Sequence, residues 1–278
     1  MARVHQYYGG TGAPLEIAID PTSVAPVWSA HRARVTAWLA ELSAADWDAP
    51  TRCEGWSIAA LVRHLASGSQ FAGYTLHQAA KGDATRLLEG FDSQVTPGAA
   101  AELLAGLEPS RLLDSLREYD RRVEDTVAGW SIDDWRRTAE APPGHVPAFL
   151  SLSHFLFDSW VHERDLLLPM AEVPLVEPGE VEISIAYVLG LAGVTTGILE
   201  GEGAAADVHV ADCGLRIGLD ARGDRAIVRP GWAPEGAPVV AGSAGLVLDV
   251  ATARADPVEL AGEAEGRAVF AAFALLLR

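Results

Sequence analysis

The sequence is poor in cysteine and in positive charge. Its two cysteines, Cys53 and Cys213, lie far apart and form no Cys-x-x-Cys pair. This excludes a disulfide framework and a cysteine-type zinc site. Lysine is almost absent, and 21 Lys and Arg residues stand against 38 Asp and Glu, which gives a formal net charge of −17. Nucleic acids and anionic membrane surfaces bind positively charged faces, so we expect neither as a partner.

Long hydrophobic runs are also missing. No stretch reaches the ~18 uninterrupted apolar residues that a transmembrane helix needs. The first residues, MARVHQYYGGTGAPLEIAID, lack the basic region followed by an apolar region that marks a secretory signal. We therefore expect a cytoplasmic protein that does not span a membrane. The hydrophobic fraction of 49% with 21% charged residues is ordinary for a globular chain.

Apolar residues recur at helical spacing in the first part of the chain, and this pattern predicts long helices. Ser57 has the residue type of an N-cap for the second helix, and Pro109 is expected to break or kink the third. The fourth helix follows the loop EAPPGHVP. The predicted helices cover residues 23–43, the residues after Ser57 as far as 80, residues 99–130, and the stretch HFLFDSWVHERDLLLP at 154–169.

The pattern changes near residues 170–178. We predict one more helix in VEISIAYVLGLAGVTTGILE. Three short valine-rich segments are predicted to be strands of a small antiparallel sheet: ADVHVA, GLRIGLD and RAIVRPG, with ARGD as a turn. Two further helices are predicted at the end of the chain, in GSAGLVLDVATAR and EGRAVFAAFALLL. We therefore predict an α+β fold with two domains, a helical bundle at residues 1–172 and a compact α+β domain at 173–278.

Polar side chains in the fourth helix indicate a functional site. Asp158 and His162 are four residues apart, so on a helix they project from one face, at the spacing with which a helix supplies two ligands to one metal. His64, among apolar neighbours of the second helix, is the best candidate for a third ligand. Spacing alone leaves other interpretations open, since such a pair is often a simple side-chain contact and such a histidine is often a hydrogen-bonded core residue.

Two motifs carry a resemblance to a known family. RCEGWSIAALVRHLA and DSWVHERDLLLP resemble the two signatures of the mycothiol-dependent maleylpyruvate isomerase family, within the DinB-like metalloenzyme superfamily. The resemblance implies a DinB-like four-helix bundle followed by a small sterol-carrier-like α+β domain. It also implies that His64, Asp158 and His162 bind a divalent metal, usually zinc. The family's type member has glutamate at the position of Asp158, and this difference weakens the inference to maleylpyruvate.

The ligand set implied by the resemblance also suggests a chemistry. Two imidazoles and one carboxylate leave an open position on zinc, as in catalytic sites. A thiol bound there would be held as thiolate, and in the family this thiol belongs to mycothiol. The expected function is an isomerase or S-transferase that acts on a small electrophile, in a monomer or homodimer. A metal-dependent hydrolase and a non-catalytic protein that binds a small apolar ligand are the alternatives.

Further residues are candidates for supporting roles. Asp165 could hydrogen-bond a ligand imidazole, or pair with Arg164 or an arginine of the first helix. His154, four residues before Asp158, is a candidate for substrate binding or hydrogen bonding. Trp56 and Trp160 are expected to pack beside the two ligand helices.

Arginines of the second domain are candidates for binding an anionic substrate. The resemblance implies that Arg254 has a functional role near the end of a C-terminal helix, and with His64 it is our candidate catalytic residue. Arg216 and Arg229, on predicted strands, are alternatives to Arg254. Cys53 is expected to pack at its turn and not to act as a nucleophile.

Overall fold

The computed structural model describes residues 6–9, 14–93 and 95–276. The helices are α1 (Val24–Ala40), α2 (Ile58–Ala80), α3 (Thr96–Ala101), α4 (Pro109–Val127), α5 (Ile132–Trp135), α6 (Ala148–Leu167), α7 (Pro178–Ala192), α8 (Ala244–Ala251) and α9 (Ala264–Leu276). The strands are β1 (Leu15–Ile17), β2 (Thr138–Ala141), β3 (Gly144–Pro147), β4 (Ala205–Val210), β5 (Leu215–Asp220), β6 (Ala226–Pro230), β7 (Val239–Gly242) and β8 (Ala261–Gly262).

The chain divides into two compact units, and the N-terminal unit is mainly helical. It contains the described residues 6–9 and 21–175. Helix α2 packs against α4 and α6, and α1 packs against the same two helices. Helix α2 begins as predicted, because the Ser57 hydroxyl accepts a hydrogen bond from the backbone N–H of Ala60. Its apolar face enters a core with residues of α1, α4 and α6.

One prediction for this unit is confirmed and another needs correction. Residues 99–130 are divided at Pro109 as expected, because Pro109 is at the first position of α4, where its fixed φ and missing N–H favour a helix start. The segment EAPPGHVP is not a loop but contributes to the antiparallel hairpin β2–β3. Backbone hydrogen bonds with Tyr7, more than a hundred residues away in sequence, stabilise this hairpin: Tyr7 N–H donates to Pro143 O, and His145 N–H donates to Tyr7 O.

The C-terminal unit contains a mixed sheet. It comprises the described residues 14–20 and 176–276, so β1 belongs to this unit although it precedes α1 in sequence. The six strands have the order β1-β6-β5-β4-β7-β8. The three predicted strands are confirmed as β4, β5 and β6, and their mutual pairing is antiparallel. The prediction of a wholly antiparallel sheet was wrong, because β1 pairs in parallel with β6, and β7 with β4.

Helices pack against this sheet. Helix α7 contacts β1, β5 and β6, and α9 contacts β4 as well as α7 and α8. A π-helical turn continues α7 from Gly193 to Leu199. Pro178–Leu199 is apolar and long enough to cross a membrane, but 67% of its most apolar window is buried inside the structure, and the buried core helix of a globular domain meets the same criterion.

A glycine determines how closely this π-helical turn approaches the sheet. A Cβ at Gly197 would lie 2.7 Å from the carbonyl oxygen of Ala221 and 2.6 Å from its Cβ, so only glycine fits this contact without a shift. The fold is thus α+β with a helical N-terminal region. The finer assignments, a DinB-like bundle and a sterol-carrier-like domain, stay predictions.

Candidate metal site

Helices α2 and α6 bring three potential metal ligands together in the N-terminal unit. His64 projects from the second turn of α2, and Asp158 and His162 project from successive turns of α6. One ligand atom from each of these residues lies within 4.8 Å of the other two. The structure therefore places the three predicted ligands in one group.

The distances within this group match those between the ligands of one metal ion. His64 Nε2 is 3.2 Å from Asp158 Oδ2, and His162 Nε2 is 3.5 Å from Asp158 Oδ1. Two ligands of a tetrahedral zinc ion with bonds of about 2.0–2.1 Å are separated by about 3.3–3.4 Å. Hydrogen bonds between nitrogen and oxygen are typically shorter, about 2.9–3.0 Å. The donor set and its spacing therefore fit a divalent cation.

Charge complementarity is strong within the group. Burial alone would raise the pKa of Asp158, but the facing charges of His64 and His162, with their hydrogen bonds, hold it well below its usual value. Burial alone would lower the pKa of His162, but the charge of Asp158 and hydrogen bonds to Asp158, Asp165 and Cys53 raise it well above 6.5. The three side chains remain 13–23% exposed, so the group is only partly shielded from solvent.

Asp165 holds the imidazole of His162. The Asp165 carboxylate is fully buried, and its Oδ2 lies 2.8 Å from His162 Nδ1. Of the two roles considered for Asp165, the contact with the imidazole of a candidate ligand, His162, is therefore present. A proton on Nδ1 leaves the lone pair of Nε2 directed toward Asp158 and His64.

Cys53 and Arg52 complete the surroundings of Asp165. The Cys53 thiol donates to Asp165 Oδ2 at 3.3 Å, and Arg52 Nε lies 3.6 Å from Oδ1. Cys53, His162 and Asp165 could also be considered as a cation site. However, the 2.8 Å contact between His162 and Asp165 has the length of a hydrogen bond, and the guanidinium of Arg52 already supplies positive charge. We interpret this second group as support for His162. Sequence reasoning did not identify Arg52, although it directly precedes the motif CEGW.

His64 is held differently from His162. Trp56 packs edge-on against its ring, with the ring centroids 5.7 Å apart. Among the described residues, no atom hydrogen-bonds its buried Nδ1. The two histidines therefore differ at Nδ1: a carboxylate contacts this atom in His162, whereas the ring of His64 packs against Trp56.

The other candidates on α6, His154 and Trp160, pack against neighbouring side chains. Burial lowers the pKa of His154 to about 4; the charge of Asp158 opposes this shift and the charge of His64 adds to it. His154 is therefore neutral near pH 7 and interacts electrostatically with two residues of the candidate metal site. Its ring packs against Phe155. Trp160 is fully buried and stacks with the guanidinium of Arg164, as expected for a packing residue.

The arginine candidates lie in the C-terminal unit. Arg254 lies near the end of a helix, as predicted, three residues beyond the last residue of α8. Its backbone N–H donates to Asp249 O. Arg216 forms a two-bonded ion pair with Asp207, and Arg229 pairs with Glu16. The alternatives to Arg254 thus have carboxylate partners.

Comparison with known proteins identifies the family to which the chain belongs. A family model described as the mycothiol maleylpyruvate isomerase N-terminal domain matches residues 28–167, half of the chain. The chain belongs to this family. The matched region includes His64, Asp158 and His162.

Solved structures agree in fold along most of the chain. A crystal structure of the mycothiol-dependent maleylpyruvate isomerase matches with a TM-score of 0.58 at 17% identity, covering 85% of this chain and 90% of that one. A histidine-to-alanine mutant of the same enzyme matches with a TM-score of 0.59 at 16% identity, covering 89% and 94%. At such low identity the likeness establishes the fold alone. No curated protein matches the sequence significantly.

Proposed function

We propose that this protein is a divalent-metal-dependent enzyme that uses mycothiol as cofactor or co-substrate. It acts as an isomerase or S-transferase on a small electrophile. The observation that carries this proposal is the spacing of the three ligand atoms of His64, Asp158 and His162, which fits one cation, in the region matched by the family. In our proposal the metal is zinc, because imidazole nitrogens and a carboxylate oxygen are common ligands of zinc.

The three side chains would hold the ion with two neutral donors and one negative donor. This is one ligand fewer than a tetrahedral zinc site takes, so one position remains for an exogenous group. When bound, the ion would lower the pKa of a thiol at that position and so supply a nucleophile at neutral pH.

Residues around the ligands contribute orientation and polarity. Asp165 keeps the Nδ1 proton of His162 in place, so that Nε2 presents its lone pair. Arg52 compensates the buried charge of Asp165. His154 is neutral and can donate or accept a hydrogen bond to a substrate without adding charge. Arg254 is our candidate for binding an anionic substrate group, and Arg254→Ala should then raise KM more than it lowers kcat.

The test combines metal analysis with a thiol-dependent assay. Purified protein should contain close to one divalent metal per chain, and His64→Ala should lose the metal and the activity together. His77→Ala is a matched control, because His77 is on the same helix but is exposed. Metal analysis and thermal shifts with mycothiol measure binding.

The assay follows consumption of maleylpyruvate and of other small electrophiles, with and without mycothiol. Turnover that needs both metal and mycothiol supports the proposal. Turnover that needs metal but no thiol would indicate a hydrolase with bound water instead. A wild-type protein that binds no divalent metal would refute the proposal.

A further inference from the structure

A buried arginine joins the four long helices of the N-terminal unit. Arg32, on α1, is only 3% exposed. Its Nε donates to both carboxylate oxygens of Asp120 on α4, at 3.1 and 3.2 Å. Its Nη1 donates to Ser159 Oγ on α6 at 2.8 Å, and its Nη2 donates to Ser69 Oγ on α2 at 3.3 Å. One guanidinium therefore contacts side chains of the three other helices.

This contact lies next to the candidate metal ligands in sequence. Ser159 directly follows Asp158, and Ser69 is five residues after His64, about 7.5 Å along the helix axis. The helices held through these serines, α2 and α6, are the two that carry the ligands. Ser69 also donates to Asp120 Oδ1 at 2.7 Å, which closes the network.

A second set of contacts holds the same turns of α6 to α1. His31 Nε2 lies 2.9 Å from Ser159 Oγ, and Arg34 lies 2.9 Å from His31 Nδ1. Because an arginine can only donate, Nδ1 accepts this bond and the ring proton is on Nε2. Arg34 also donates two hydrogen bonds to Glu163, the residue after His162. Each α6 ligand is thus followed by a residue that is hydrogen-bonded to α1.

Stability alone is a weak explanation for this buried network. Removing an arginine and an aspartate from water is costly, and apolar residues of similar volume often stabilise a core equally well or better. What charged hydrogen bonds add is direction, because the guanidinium fork fixes the relative positions of the groups it contacts.

Resting on the proposed function, we propose that Arg32 is a positioning residue for the metal site. Through Ser69 and Ser159 it sets the separation and rotation of α2 and α6, and hence the distance of His64 from Asp158 and His162. It does not touch the metal or the substrate.

The test removes each serine contact without unpairing Arg32 from Asp120. We expect Ser159→Ala and Ser69→Ala each to bind zinc about tenfold more weakly, the scale of effect seen when groups that orient metal ligands are removed. They should also shift the visible absorption bands of the cobalt(II)-substituted protein. Ser153→Ala is the matched control, because Ser153 is fully buried on α6 but bonds only to Phe149 O of its own helix among the contacts described.

The measurements are zinc affinity by competition with a chromophoric chelator, cobalt(II) spectra and melting temperature. If both variants bind zinc like Ser153→Ala, the positioning role is refuted, and a lower melting temperature with unchanged zinc affinity refutes it equally. If the wild-type protein itself binds no metal, the proposed function fails and this inference fails with it. The two failures are therefore distinguishable.

Discussion

Replacing Asp165 by asparagine tests how the site holds His162. The change keeps the shape of the side chain but removes the charge that accepts the His162 Nδ1–H bond at 2.8 Å in a fully buried position. The asparagine amide can instead donate to Nδ1, which favours the tautomer with the proton on Nε2, the atom that faces the other two candidate ligands. A metal must displace that proton before it binds.

The expected loss of metal affinity follows from this one hydrogen bond. A hydrogen bond to a charged group contributes about 1.5–3 kcal/mol. At about 1.4 kcal/mol per factor of ten, losing it corresponds to roughly 10- to 100-fold weaker metal binding. Removing the carboxylate charge also leaves Arg52, 3.6 Å away, without that compensation, so we expect the metal-free protein to unfold at a lower temperature as well.

The assay is zinc affinity by chelator competition at one fixed pH, with melting temperature measured in parallel. Asp125→Asn is the control, since Asp125 is exposed on α4. A zinc affinity of Asp165→Asn within twofold of the wild type would show that His162 does not depend on Asp165, and the reasoning would be wrong.

Three further predictions concern stability. Glu140 is fully buried and accepts four hydrogen bonds, so Glu140→Gln should lower the free energy of unfolding in urea by about 2 kcal/mol, while exposed Glu89→Gln should not. Hydrogen bonds from Arg216 lower the pKa of Asp207 below 3.8. The ionised Asp207 therefore stabilises the fold above pH 3.8, and this stabilisation is lost as the pH falls through the lowered pKa. In urea titrations at a series of acidic pH values, the free energy of unfolding of Asp207→Asn should fall less steeply with decreasing pH than that of the wild type. Gly197→Ala should lower the melting temperature, because its Cβ would collide with Ala221; an unchanged value would contradict the close contact.

The sequence predicted those features that depend on neighbours along one helix. The Ser57 cap, the apolar face of α2 and the i,i+4 spacing of Asp158 and His162 are all local, and the structure contains each of them. The position of His64 opposite Asp158 could be anticipated from the family resemblance but not from spacing, because a ligand on another helix has no fixed distance in sequence.

Long-range pairing accounts for what the sequence did not reveal. Arg32 and Asp120 each read as an ordinary polar residue on a helix, and only the packing of α1 against α4 makes them a buried pair. The hairpin at residues 138–147 depends on the backbone of Tyr7, and the sheet order depends on a strand that precedes all the helices. The periodicity of a segment contains no information about which distant residue will contact it.

The pairing of β1 with β6 has consequences for truncated fragments of the protein and for its folding during synthesis. The helical unit is in effect inserted between the first strand of the sheet and all its others. A fragment that starts at residue 173 would leave the outer edge of β6 without its neighbour and open to pairing with other chains. During synthesis on the ribosome, β1 emerges early but can pair with β6 only after about two hundred more residues have been synthesised. The sheet of the C-terminal unit therefore begins with the first strand of the chain and is completed only after the whole helical unit has been made.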